Sequence, residues 1–207
     1  MRKHLSFMEC TFYEERCFRF MYGVCCGACV QGIDGRIVRV EIDLANGLPI
    51  FSIVGLPDNA VRESAERVRA ALKNSSFEFP MRRITVNLAP ADVRKEGASF
   101  DLAIAAGILL TSGQWPEWIA GETLFLGELS LIGEVRPVPG VLSMALAAKE
   151  AGLKRIIVPW ENAREAALVG GLEVLPVKHL KHIWDPVNGL APNMLQIETF
   201  QIQPETT

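Results

Sequence analysis

The side chains able to do chemistry in this sequence are few and unevenly spread. All five cysteines, Cys10, Cys17, Cys25, Cys26 and Cys29, fall within the first 29 residues. Cys26-x-x-Cys29, with His4, Cys10 or Cys17 as further donors, is the sharpest metal candidate, because thiolate and imidazole are the ligands zinc prefers. The spacing argues against it: Cys10 and Cys17 are seven apart, and no second C-x-x-C completes a zinc ribbon. Small apolar residues on a first strand, with incidental thiols upstream, is the preferred reading. A disulfide framework would distribute its cysteines along the chain. His179 and His182, at i and i+3, would share a helical face but lack a third ligand, so a surface pair is expected. Asp92 with Glu96, and Glu96 with Asp101, have the composition of an acid-base pair. Arg94 and Lys95 stand among them, however, and solvated ion pairs are the simpler outcome. Ser99 precedes an apolar helical stretch and reads as its N-cap, with Asp101 favourable to the helix dipole in the first turn.

A basic set is the other candidate. Arg62, Arg67, Arg69 and Lys73 come from one helix, Arg82 and Arg83 from a strand edge, and Arg94 and Lys95 from a loop. Converging, they would make a DNA or subunit contact; interspersed with Glu63, Glu66 and Glu78, they would be ordinary surface charge. The whole chain offers no general attraction to phosphate. Its 207 residues carry 21 Lys plus Arg against 24 Asp plus Glu, a net charge of -3, so a local patch would have to supply any affinity.

The elements that must position these residues follow from periodicity. At 49% hydrophobic and 22% charged the chain is globular in composition and long enough for one ordinary domain. Its longest uncharged run, 102–116, is interrupted by Gly107 and Gly113 and falls short of the roughly 18 apolar residues a membrane helix needs. Glu9, Glu14, Glu15 and Arg16 break any signal-peptide core, so a cytoplasmic protein without membrane contact is expected. Residues 1–20, with four phenylalanines, a tyrosine and no persistent period, read as an extension outside the core; Met21 would serve as a start.

Near-alternation of Ile33, Ile37, Val38, Val40, Ile42 and Leu44 predicts strands over 24–54. Asp34-Gly35 and Asn46-Gly47 are the turns, which gives three antiparallel strands in a meander. Asp58 caps a helix whose buried stripe is Val61, Ala65, Val68 and Leu72, ending near Asn74. A strand at 83–88 leads into a charged loop, and then into a helix to about Thr111 that is apolar all round and therefore interior. A hairpin through Ile132-Gly133, a helix over 140–151 with Gly152 behind it, a strand at 155–158, a short helix at 163–168 and a last strand at 172–175 complete the core. The predicted order is βββαβα followed by ββαβαβ. The expected class is α/β or α+β: a mixed sheet with helices mostly on one face. The core domain is expected over 21–184, with a flexible tail over 185–207.

Three long stretches carry a resemblance. They are IDLANGLPIFSIVGLPDNAVRESAERVRAAL, FEFPMRRITVNLAPADVRKEGASFDLAIAAGIL and LFLGELSLIGEVRPVPGVLSMALAAKEAGLKRIIVP. Together they resemble the N-terminal domain of the magnesium-chelatase-like AAA+ proteins, the ComM or YifB family, from about Tyr22 to His182. The resemblance implies a Lon-protease-domain-like fold, shared with the C-terminal domain of the recombination protein RadA. It also implies a parent protein that forms a ring with its own copies and uses ATP and magnesium to remodel DNA, with branch migration in transformation as the family activity. No G-x-x-x-x-G-K-[ST] occurs here, so neither ATP nor any other cofactor is expected on this chain; the motor would follow beyond residue 185.

Lon peptidases pair a serine with a lysine, whose neutral amine takes the serine proton. Lys95-Glu96-Gly97-Ala98-Ser99 matches the serine segment, with Ser99 at the nucleophile. Aligning VRPVPGVLSMALAA on the lysine segment places Leu142 where the base belongs, and leucine accepts no proton. Lys149 lies two turns further along that helix. The resemblance therefore implies a catalytically silent accessory domain. A residual Ser-Lys peptidase and a pure oligomerisation module are the alternatives.

Overall fold

The apolar alternation of the N-terminal third builds the middle of the sheet. The computed structural model describes residues 22–185 and 189–190. The expectations for the extension, for His4, Cys10 and Cys17, and for most of the tail fall outside the described residues. Strands β1 (Tyr22–Gln31) and β2 (Asp34–Ala45) form one long antiparallel hairpin, pairing Gln31 with Asp34 and Tyr22 with Asp43. Its turn is Gly32-Ile33, with Gly32 at φ 66, so Asp34-Gly35 opens the second strand and does not make the turn. Gly35 is needed for a different reason. A Cβ there would lie 2.1 Å from the Ser143 carbonyl oxygen, so only glycine lets a helix backbone settle on the hairpin.

The predicted meander is not formed. Strand β3 (Phe51–Val54) does not return beside β2; helix α1 (Asn59–Asn74) crosses over from it to β4 (Arg83–Ala89), which pairs with β3 in parallel and lies between β3 and β2. β4 then pairs antiparallel with β2, from Arg39↔Ala89 to Ala45↔Arg83. On the other side β5 (Thr123–Phe125) runs parallel to β1 and to β8 (Arg155–Pro159), and β9 (Glu173–Val177) closes that edge. The seven strands lie in the order β3-β4-β2-β1-β5-β8-β9. The expected hairpin is confined to β6 (Glu128–Leu129) and β7 (Val135–Arg136), with β5 belonging to the main sheet.

Helices cover both faces of this sheet, not mostly one. On the first face α1 and α2 (Asp101–Thr111) pack against Val38, Val40, Ile42 and Leu44 of β2 and Ile84, Val86 and Leu88 of β4, the every-second-residue sets of their strands. Every residue of α2 is buried, as its uniform apolarity requires. On the second face α3 (Val141–Glu150) and α4 (Ala163–Ala167) cover Ala28, Leu124, Leu126, Ile156, Val158 and Val174. β8 shows why: Ile157 faces the first core while Ile156 and Val158 face the second, so a continuous apolar strand needs a cover on each side. The result is a three-layer α/β sandwich, and among the described residues no helix is long and apolar enough to cross a membrane.

Candidate functional site

The loop from β4 to α2 carries the serine segment and is stitched onto the start of α1. Asp58 caps that helix through Val61 N–H (2.8 Å), and its other carboxylate oxygen accepts from Gly97 N–H (3.1 Å). The Asp58 N–H donates to the Lys95 carbonyl and the Lys95 N–H to the Leu56 carbonyl. This backbone clamp swings the Lys95 side chain inward, where it is fully buried and its ammonium donates to the Pro90 carbonyl. Burial pulls the Lys95 pKa below the ordinary lysine value, while Cys29 and Asp92 act in the opposite sense. Lys95 therefore does not serve as the exposed cation expected of it, because its side chain is buried and its ammonium bonds the Pro90 carbonyl.

Ser99 is not the cap of α2. The cap position is Phe100, without a side-chain bond, and the Ser99 hydroxyl donates to the Ala28 carbonyl at 3.2 Å. That hydroxyl ties the loop to β1 instead. A cavity of about 340 Å3 lies here, lined by Cys29, Val30, the 96–99 segment, Pro139, Gly140 and Met144. The fold thus brings the serine segment opposite the start of α3, where the resemblance puts the dyad. Leu142 lies outside that lining, with its backbone N–H bound to Glu165 Oε1 at 2.8 Å. Lys149 is at the far end of the helix and donates to the Val169 carbonyl at 3.3 Å. The cavity also presents Cys29, whose thiol burial holds protonated; Lys95 and Arg36 pull its pKa down and Glu96 pushes it up. Cys26 and Cys29, three apart on β1, cannot share a metal: an odd spacing sends them to opposite faces, Cys29 into one core and Cys26 against the other.

Asp101 does lie in the first turn of α2, but as the centre of a buried polar cluster that sequence reasoning missed. Its Oδ1 accepts from the Ser64 hydroxyl and from Arg67 Nη2 (3.0 Å). Its Oδ2 accepts from Arg67 Nε (2.6 Å) and from Leu129 N–H (3.1 Å). Asp101 is wholly buried and the Arg67 side chain 21% exposed. The hydrogen bond to Asp101 raises the Arg67 pKa further, against the cost of burial. Arg67 is therefore withdrawn from the predicted basic contact and pins α1 to α2 and β6. Glu63, one turn earlier on α1, stands 3.8 Å from Arg67 Nη1. A polar Ser64 between Val61 and Val68 was the available signal, since a serine on a buried stripe needs a partner. Glu96 pairs with Arg94 at 3.0 Å, both exposed, and neither carboxylate pair proposed for acid-base work is assembled.

The remaining cations divide. Arg69, Lys73 and Arg82 converge on one groove of about 240 Å3, completed by Pro49, Ile50, Phe79 and Met81. Arg69 lies over the Phe79 ring, 5.2 Å from its centroid, and that ring stands 5.9 Å from Phe51. The α1 residues point the same way because they repeat at i, i+4 along the face that looks away from the core. Arg62 continues that stripe beyond the groove, and Arg83 is exposed at the first position of β4. Arg94 is exposed on the loop before α2 and has its own partner, Glu96. His179 and His182 are half-buried, not a surface pair. The His179 ring bonds the Ile132 carbonyl (2.9 Å) and accepts from Lys181 N–H (3.1 Å). Burial lowers the His182 pKa, with His179 and Lys178 acting in the same direction. Among the described residues no three His, Cys, Asp or Glu side chains are grouped to hold a metal.

Comparison with known proteins accords with this geometry. The family described as subunit ChlI of Mg-chelatase matches residues 40–162. Competence protein ComM of Haemophilus influenzae is 42% identical over 159 residues, covering 77% of this chain and 31% of that protein. Protein YifB of Escherichia coli is 41% identical over 152 residues, covering 73% of this chain and 30% of that protein. At greater distance, Lon protease 2 of Bacillus subtilis is 27% identical over 184 residues, covering 80% of this chain and 33% of that protein. The chain spans about a third of the length of the curated relatives it matches.

Proposed function

This chain belongs to the magnesium-chelatase ChlI-like family together with ComM and YifB, and from that premise we propose that it is a non-catalytic accessory domain of a DNA-remodelling AAA+ ATPase. Its role is to guide DNA with a basic face, and ATP and magnesium act in a motor domain elsewhere in the parent protein. The observation that carries this reading is the convergence of Arg69, Lys73 and Arg82 on one groove whose lining holds no carboxylate. A net charge of -3 leaves only such a local patch to attract phosphate. The serine segment supports the non-catalytic part: the Ser99 hydroxyl is engaged with a carbonyl, and the resemblance puts a leucine, Leu142, where the base belongs. Lys95, the buried lysine of the same segment, spends its amine on the Pro90 carbonyl, and a serine without a free base is not activated. The cytoplasm is the compartment this function requires.

Fluorescence anisotropy with labelled single-stranded, duplex and branched DNA across a salt series tests the proposal. Lys73→Glu/Arg82→Glu is the informative variant, because both side chains are exposed and their reversal should leave the fold intact. Arg69 is unsuitable because it is packed on Phe79. Binding that weakens steeply with salt, and is lost in the double variant, is expected. No binding of any DNA at low salt would leave contact with copies of the parent ATPase as the domain's work.

A further inference from the structure

We infer that the groove beside α1 is a single-strand site, holding phosphates on Lys73 and Arg82 and a base face on its apolar wall; this deepens the DNA role proposed above and rests on it. Three observations lead there. First, the charge is available: among the described residues neither Lys73 nor Arg82 forms an ion pair, and only Arg69 is partly offset, by Glu66 at 3.7 Å. Second, the apolar part of the lining is exposed. Met81 is 72% and Ile50 47% exposed, and Leu48 nearby in the chain is 78% exposed. Third, the groove has the volume of several water molecules at roughly 30 Å3 each, enough for a planar group and too large for one ion.

A duplex stacks its base faces against one another and presents phosphate, sugar and polar base edges. Exposed Met81 and Ile50 gain little against such a surface. A single strand offers the faces themselves, and every base has one, so apolar and guanidinium surfaces bind it without reading sequence. The Arg69 guanidinium, 5.2 Å from the Phe79 ring centroid, adds a cationic planar group to the same wall. Cations beside an uncovered apolar surface are what a single strand needs and what a duplex leaves half unused.

The test uses the full chain with a fluorescein-labelled oligothymidine of about twenty nucleotides and a duplex of the same length. The single strand should bind about tenfold more tightly than the duplex at equal salt. Met81→Ser should weaken the single strand about threefold to tenfold while leaving both its salt slope and the duplex affinity unchanged. Lys73→Glu/Arg82→Glu should flatten the salt slope for both. Equal affinity for the two forms, or a Met81→Ser variant indistinguishable from the parent, would overturn the single-strand assignment and leave the DNA role standing. Absence of binding to either form would overturn both.

Discussion

Replacing Asp101 with Asn tests whether the buried cluster is what fixes α1 in place. The substitution keeps size and shape, so no cavity term enters. It removes the charge opposite Arg67 and turns one of two acceptor oxygens into a donor. Each oxygen receives two donors: Oδ1 the Ser64 hydroxyl and Arg67 Nη2, Oδ2 Arg67 Nε and Leu129 N–H. Turned toward Arg67 Nε and Leu129 N–H, the NH2 meets two donors; turned the other way it meets Arg67 Nη2 and a Ser64 hydroxyl that must reverse to accept it, and in either case Arg67 loses its counter-charge. Breaking a buried pair on one side costs about 3–5 kcal/mol, and the residual 21% exposure of Arg67 places the loss at the lower end, about 3 kcal/mol. With a urea m-value of about 2 kcal/mol/M, the unfolding midpoint should fall by about 1.5 M at unchanged m. Arg67→Met combined with Asp101→Asn should cost less than the sum of the two single changes, because each removes the other's unpaired partner. A fall in midpoint below about 0.5 M, or strict additivity, would refute the view that this cluster is a strong structural tie. Arg94→Ala provides the contrast: it breaks a solvated pair and should change stability by no more than about 0.5 kcal/mol.

Gly35→Ala places a methyl group against the Ser143 carbonyl, which is helix backbone and cannot rotate aside, so stability should drop by about 2–3 kcal/mol in urea unfolding; an unchanged midpoint would disprove the close seating of α3. His182 is held neutral in the fold, so as pH falls through about 6.5 the unfolded chain takes up the proton first and stability declines. His182→Gln should flatten that decline between about pH 5 and 7, and parallel profiles for the two proteins would rule out the assigned cause.

What the sequence made legible were features with one dominant local cause. Helix α1 shows its cap, its end and most of its stripe in the chain itself: Asp58 bonds Val61 N–H as its position implies, and Val61, Val68 and Leu72 are buried, while Ser64 and not Ala65 completes the inner face. The uniform apolarity of α2 told its depth. The class, a mixed sheet with packed helices, follows from element order alone, and the serine segment comes to the start of α3 as the resemblance implied. The misreadings are all long-range. Nothing local tells β3 to pair with β4 rather than β2, because both arrangements bury the same alternating residues. Ser99 has the type and place of a cap, and only the approach of the Ala28 carbonyl, 71 residues away in sequence, redirects its hydroxyl. Lys95 and Arg67 read as surface cations because charge is visible in sequence while a carbonyl or carboxylate waiting inside is not. Arg69, Lys73 and Arg82 were legible as candidates; the apolar residues between them, Ile50 and Met81, were not read as part of the same surface.

The central position of the N-terminal hairpin decides how divisible this domain is. In chain order the elements fall into two successive halves that meet near residue 120. In space each half is built outward from β1–β2: β4 adds to the free side of β2, and β5 adds to the free side of β1. A fragment holding only the second half would lack the strand on which β5 lies and the glycine floor on which α3 rests. The halves are therefore not exchangeable modules. A swap between relatives keeps its packing only if the donor supplies the hairpin along with whichever half is moved, and as a unit of inheritance or of engineering the domain is single.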